Sequence, residues 1–122
     1  MEPVILVIED NEDIRELIEE TLLLSGYRVI AADNGKAGLA LLRTTDPDLI
    51  LCDIMMPEVD GYEILRILNE RKNYRKIPFI FMTAKSSSSE KQKAIELGVD
   101  NYLIKPFDDT LLLSAVKDSL NK

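Results

Sequence analysis

Short apolar runs and stretches of helical periodicity alternate from one end of the chain to the other. Val4-Ile5-Leu6-Val7-Ile8 is β-branched and uninterrupted, the pattern of a strand buried on both faces. Asn11 is placed to cap a helix with Glu12 and Asp13 in its first turn. Ile14, Leu17, Ile18, Thr21, Leu22 and Ser25 follow at helical spacing until Gly26 ends it. Tyr27 to Ala32 predicts a second strand, and a second helix runs from about Asn34 to Thr44 with Ala37, Ala40 and Leu41 on one face. After Asp46-Pro47, Leu49 to Cys52 predicts a third buried strand ending at Asp53. Met55 to Gly61 reads as a loop with turn residues, and Tyr62 to Arg71 as a third helix with Leu65 and Leu68 inward. Asn73 to Lys76 is a polar connection and Ile77 to Met82 a fourth strand. Ser86 to Ser89 form a polar loop and helix start, leading into a short helix that ends at Leu97 before Gly98. Asp100 to Ile104 predicts a fifth strand, broken by Lys105-Pro106, and Asp108 opens a last helix through Leu120.

A strand followed by a helix, five times over, calls for an α/β fold: a parallel sheet with helices on both faces. The expected architecture is a doubly wound (βα)5 arrangement with strand order 2-1-3-4-5 and a site at the carboxyl edge of the strands. No composition break, linker or low-complexity tract divides the chain, so residues 1–122 are expected to form one domain.

Composition narrows the chemistry. The chain has one cysteine, Cys52, and no histidine, which excludes an intramolecular disulfide, a Cys/His zinc site and every Ser-His or Cys-His catalytic pair. A lone cysteine inside an apolar strand suits a reducing cytoplasm and reads as a core residue. No basic segment leads into an apolar one after Met1-Glu2-Pro3, so no signal peptide is expected, and the longest apolar run is far too short for a membrane span. With 15 basic and 22 acidic residues the net charge is −7, a poor basis for direct nucleic-acid binding by this chain.

Polar residues recur where the strands end. Glu9 and Asp10 end the first strand, Asp53 the third, Thr83 the fourth and Lys105 the fifth. In a parallel sheet those ends share one edge, so the five residues should meet in one crevice; the second strand ends in Ala32 and adds nothing. Three carboxylates together repel one another unless a cation or proton intervenes. With oxygen ligands only, Mg²⁺ is the natural resident. Lys105 adds a mobile cation and Thr83 a hydroxyl, and the set describes phosphoryl transfer to a carboxylate. Singly, each residue has a plain structural role: Glu9-Asp10 as a helix start, Asp53 as a loop acid, Thr83-Ala84 as a cap and Lys105-Pro106 as a turn. Their joint placement at four of five strand ends favours the functional reading.

The chain resembles the receiver (response regulator) domain of two-component signalling over essentially its whole length. The resemblance rests on Glu9-Asp10, on Asp53 with Met56-Pro57 and Asp60-Gly61, on Thr83-Ala84, and on Lys105-Pro106-Phe107. It implies a flavodoxin-like receiver fold, with Asp53 as the phosphoacceptor for a kinase phosphohistidine. It further implies Mg²⁺ (or Mn²⁺) held by the Asp10 and Asp53 carboxylates, by Glu9 through a water and by the backbone carbonyl of Met55. Thr83 and the Ala84 N–H would bind phosphoryl oxygens, and Lys105 another. The Lys105-Pro106 bond would be cis, and Tyr102 the switch aromatic that turns inward as Thr83 moves. The face made by the fourth helix, fifth strand and last helix would change with it. Met55 and Lys85 flank the site at positions that vary in the family.

The implied partners are a sensor histidine kinase or phosphotransfer protein on the input side, and a protein partner or fused output domain downstream. Dimerisation on phosphorylation is left open. The winged-helix DNA-binding branch carries a Glu and an Arg on the last helix for one dimer mode; Leu111 and Ala115 stand there and count against it. Three other readings fit the sequence less well. A pseudo-receiver acting as a constitutive binding module would be expected to lack one of the acids, the Thr or the Lys. An aspartyl-phosphate phosphatase would need an Asp where Met55 stands, and a nucleotide or flavin module a glycine-rich loop after the first strand.

Overall fold

The computed structural model describes residues 2–71, 76–84 and 88–121. Most of the connection expected at Asn73 to Lys76, Lys85, and Ser86 and Ser87 of the polar loop lie outside the described residues. Five strands, β1 (Val4–Ile8), β2 (Arg28–Ala32), β3 (Leu49–Asp53), β4 (Phe79–Thr83) and β5 (Asn101–Ile104), alternate with α1 (Glu12–Leu24), α2 (Gly35–Thr44), α3 (Gly61–Asn69), α4 (Ser88–Glu96) and α5 (Asp109–Leu120). All four strand pairings are parallel, in the order β2-β1-β3-β4-β5.

Alternation along the strands sorts the core into two layers. Leu6, Ile8, Ile50, Cys52, Phe79 and Phe81 face one way and meet Leu42, Ile64, Leu65, Leu68 and Ala94 of α2, α3 and α4. Ile5, Val7, Leu49, Leu51, Ile80 and Met82 face the other way and meet Ile18, Leu22, Leu112, Ala115 and Val116 of α1 and α5. β3 and β4 are buried at every position, while β2 and β5, at the edges, are not. This is the expected doubly wound sheet, and it puts β1, β3, β4 and β5 side by side at the site.

Four helices start the same way. The side-chain oxygens of Asn11, Asn34, Asp60 and Asp108 accept from the N–H groups of Ile14, Ala37, Glu63 and Leu111 at 3.0, 2.7, 2.9 and 2.8 Å. α1 and α4 end alike, on glycines with φ of 91° and 86°. The N–H of Tyr27 reaches back to the Leu22 carbonyl and that of Val99 to the Ala94 carbonyl. That bond takes Tyr27 into the helix end, so β2 begins one residue later than the apolar run predicts. Pro78 has no N–H to give the ladder, which starts β4 at Phe79 in place of Ile77. Ala40 is exposed, contrary to the expected inward face of α2. Gly35, Gly38 and Leu42 are the buried positions there. A Cβ on Gly38 would lie 2.6 Å from Ile8 Cδ1 of β1, and one on Gly35 would lie 2.4 Å from the Val59 carbonyl oxygen.

Candidate functional site

The carboxyl edge of the sheet gathers Glu9, Asp10, Asp53, Thr83 and Lys105. One ligand oxygen from each of Glu9, Asp10 and Asp53 lies within 4.8 Å of the others. Glu9 is fully buried and Asp53 is 5% exposed, while Asp10 opens to solvent. The Lys105 ammonium lies between two of them, 2.5 Å from Glu9 Oε1 and 3.3 Å from Asp53 Oδ2.

Each side chain is positioned by its neighbours. The Glu9 N–H donates to the Ala32 carbonyl at 3.1 Å, extending the sheet one residue past β1. Arg15, one turn into α1, donates from Nη1 to the Glu9 carbonyl at 3.0 Å, and the Asn11 N–H donates to Glu9 Oε2 at 3.1 Å. The Lys105 N–H donates to the Thr83 carbonyl at 2.7 Å, which fixes the lysine backbone beside β4, and the Lys105-Pro106 bond is cis. Behind Asp53, the Gly61 N–H donates to the Ile54 carbonyl at 2.9 Å. A Cβ on Gly61 would lie 2.7 Å from the Asp53 carbonyl oxygen and 2.9 Å from Ile54 Cα, so only glycine fits.

Thr83 is buried at the end of β4, one residue beyond Met82, the β4 residue paired with Asp53. Ala84 follows it on the surface. The Met55 side chain is exposed in the loop after β3. Tyr102 stands in β5 opposite Phe81 of β4, half-buried against the α3/α4 side of the core. On α5, Leu111 is exposed and Ala115 is buried.

The electrostatics are those of crowded acids. Burial pushes the Asp53 carboxyl up to about 7, the Glu9 charge pushes the same way, and Lys105 opposes both. Burial pulls Lys105 down, but its hydrogen bond to Glu9 and the Asp53 charge outweigh that and hold it above its ordinary value. Burial and the adjacent Asp53 raise the Cys52 thiol well above its usual range, which leaves it inert. A divalent cation beside these crowded carboxylates would oppose the repulsion that raises Asp53. Every donor is oxygen and Asp10 leaves one side open, so the set fits a hard cation such as Mg²⁺.

Sequence reading missed the second layer around these residues. Asn11 was legible as a helix cap, but its own N–H also holds Glu9. Arg15, six residues after Glu9 and one turn inside a helix, was a readable spacing. Glu58 takes a left-handed backbone conformation, φ 67°, in the loop after Asp53, for which its residue type gives no signal.

Comparison with known proteins identifies the family. The family model for the response regulator receiver domain matches residues 5–117. Transcriptional regulatory protein PcoR of Escherichia coli is 37% identical over 118 residues, which cover 97% of this chain and 51% of that protein. The alkaline phosphatase synthesis transcriptional regulatory protein PhoP of Bacillus subtilis is 38% identical over 118 residues, covering 97% and 48%. The chain thus spans about half the length of the curated relatives it matches. Those relatives are named as transcriptional regulators. Chemotaxis protein CheY4 of Vibrio cholerae superposes with a TM-score of 0.91 at 28% identity, over 98% of this chain and 99% of that one. The chain belongs to the response regulator receiver domain family, the phosphorylation-dependent signalling domain of two-component systems.

Proposed function

We propose that residues 1–122 act as one receiver unit that takes a phosphoryl group onto Asp53 from the phosphohistidine of a sensor kinase or phosphotransfer protein. The observation that carries this reading is the buried Asp53 carboxylate, grouped with Glu9 and Asp10 and 3.3 Å from the Lys105 ammonium. An Asp53 oxygen forms the new bond to phosphorus, and the P–N bond to the donor imidazole breaks. The imidazole keeps the electron pair of that bond and takes a proton from solvent. Lys105 keeps Asp53 closer to its ionised, nucleophilic form and then pairs with a phosphoryl oxygen. The Thr83 hydroxyl and the Ala84 N–H serve the remaining oxygens. The chain promotes only its own phosphorylation and dephosphorylation.

Asp10 and Asp53 would hold Mg²⁺ or Mn²⁺ through carboxylates and Met55 through its carbonyl. Both Glu9 oxygens already accept hydrogen bonds, from Lys105 and Asn11, which suits a role through a bound water. When bound, the ion supplies positive charge facing the transferred phosphoryl oxygens. Output follows as Thr83 moves toward the acyl phosphate, Tyr102 turns inward, and the α4-β5-α5 face changes for a protein partner, an output domain or a second copy. Direct contact with nucleic acid falls outside this chain, whose net charge is −7. No helix of the described residues is long and apolar enough to cross a membrane. Exchange with a kinase phosphohistidine would take place in the cytoplasm.

The test is intact-protein mass after incubation with acetyl phosphate, with and without Mg²⁺, on wild type and Asp53→Asn. The reading expects a Mg²⁺-dependent gain of one phosphoryl group, absent in the variant. No gain in the wild type refutes it.

A further inference from the structure

Tyr62 has no part in the phosphoryl chemistry, yet it joins the Asp53 loop to α4. Its chain neighbour Gly61 lies against the Asp53 backbone. Its ring meets Phe81 edge-on, with centroids 5.3 Å apart at 79°, and Phe81 is two residues before Thr83. Its hydroxyl donates to the Glu90 carboxylate on α4. The Lys93 ammonium, also on α4, sits 4.2 Å from the ring centroid. Burial and the Glu90 carboxylate both push the Tyr62 hydroxyl well above its ordinary range, so it stays a donor at physiological pH.

α4 buries little apolar surface among the described residues. Its sequence is polar, Ala94 is its one buried apolar residue among those described, and Ile95 is 54% exposed. A helix that buries so little depends on specific contacts, and two of them converge on Tyr62. The Glu90 charge also reaches Tyr102, whose hydroxyl is raised first by burial and then by Glu90. The two tyrosines therefore share one acidic neighbour on α4.

We propose that Tyr62 is a positioning residue that tethers α4 to the Asp53 loop through Glu90 and Lys93, giving Asp53 a connection to α4 beside the one through Thr83 and Tyr102. The tether stands on the contacts alone; its part in transmission rests on the phosphoacceptor reading above.

The experiment is hydrogen exchange of α4 amides on the full chain, with α5 as internal reference. Wild type, Tyr62→Phe, Glu90→Ala and the double variant are compared, each with and without acetyl phosphate and Mg²⁺. Tyr62→Phe keeps the ring and loses only the hydroxyl, so the fold is retained. In unmodified protein it should speed α4 exchange about tenfold and leave α5 unchanged, as expected for losing a bond to a charged acceptor. The double variant should be no faster than Glu90→Ala, since both remove one interaction. Phosphorylation should alter α4 exchange in wild type and alter it less in Tyr62→Phe. Exchange in Tyr62→Phe within about twofold of wild type, or additive effects in the double variant, would overturn the tether. An equal phosphorylation response in wild type and Tyr62→Phe would overturn its role in transmission. A wild type that gains no phosphoryl group overturns the phosphoacceptor reading and transmission with it, while the unmodified proteins still decide the tether.

Discussion

Asp53→Asn removes a charge that the folded protein holds at a disadvantage, so the variant should be more stable than wild type in metal-free solution above neutral pH. The Asp53 carboxyl rises from its ordinary 3.8 to about 7 on folding. At about 1.4 kcal/mol per pH unit, ionising it in the folded state costs on the order of 4 kcal/mol. A Coulomb estimate shows where this comes from. At an effective dielectric of about 20, a like charge at the 4.8 Å limit of the cluster repels by about 3.5 kcal/mol. The Lys105 ammonium at 3.3 Å returns about 5 kcal/mol on the same scale, so burial tips the balance upward. The folded pKa lies above the unfolded one. The stabilising contribution of the protonated carboxyl is therefore complete below about pH 4 and lost as pH rises through about 7. Urea unfolding with a chelator present should show Asp53→Asn ahead by about 2–4 kcal/mol at pH 8, after allowance for Lys105 losing a charged partner. The gap should close toward pH 4. Added Mg²⁺ should raise wild-type stability and raise the variant's less, because the ion binds the folded cluster. A variant no more stable than wild type at pH 8, or a gap independent of pH, would refute this reasoning.

Four smaller tests use the same assay or a chemical probe. Ser119 is buried with its hydroxyl unpartnered in α5, so Ser119→Ala should raise stability by about 1 kcal/mol, by urea midpoint. Glu58 holds φ at 67°, and Glu58→Gly should gain about 0.5–1 kcal/mol in the same measurement. Gly61→Ala would drive a Cβ against the backbone of Asp53 and Ile54; it should lose about 2 kcal/mol or more and slow phosphorylation by acetyl phosphate. Cys52 is fully buried with a raised thiol pKa, so alkylation by iodoacetamide at pH 8 should be at least about a hundredfold slower in native than in urea-unfolded protein.

What was legible in the sequence were the features that one element carries by itself. The apolar runs marked the strands, because a parallel sheet covered on both faces needs apolar residues at both alternations. Asn11 and Asp108 marked helix starts, because a cap acts on an N–H three residues away. The site residues were legible because parallel strands deliver their ends to one edge, whatever the loops do. What stayed hidden depends on how elements approach one another. Ala40 reads as a core position, but the close crossing of α2 over β1 requires glycine at 38, and the approach of Val59 requires it at 35. Leu17 sits at core spacing in α1 but is 61% exposed, at the margin of the stripe formed by Ile14, Ile18, Thr21 and Leu22. The Glu9–Lys105 ion pair spans 96 positions, and Tyr62 reads as one more aromatic until α4 brings Glu90 to it.

The most direct measurement locates the phosphoryl group. Protein treated with acetyl phosphate and Mg²⁺ is reduced with borohydride, which converts an aspartyl phosphate to homoserine, and is then digested and sequenced by tandem mass spectrometry. The account predicts homoserine at position 53 and nowhere else. Modification at another residue, or none, would contradict it.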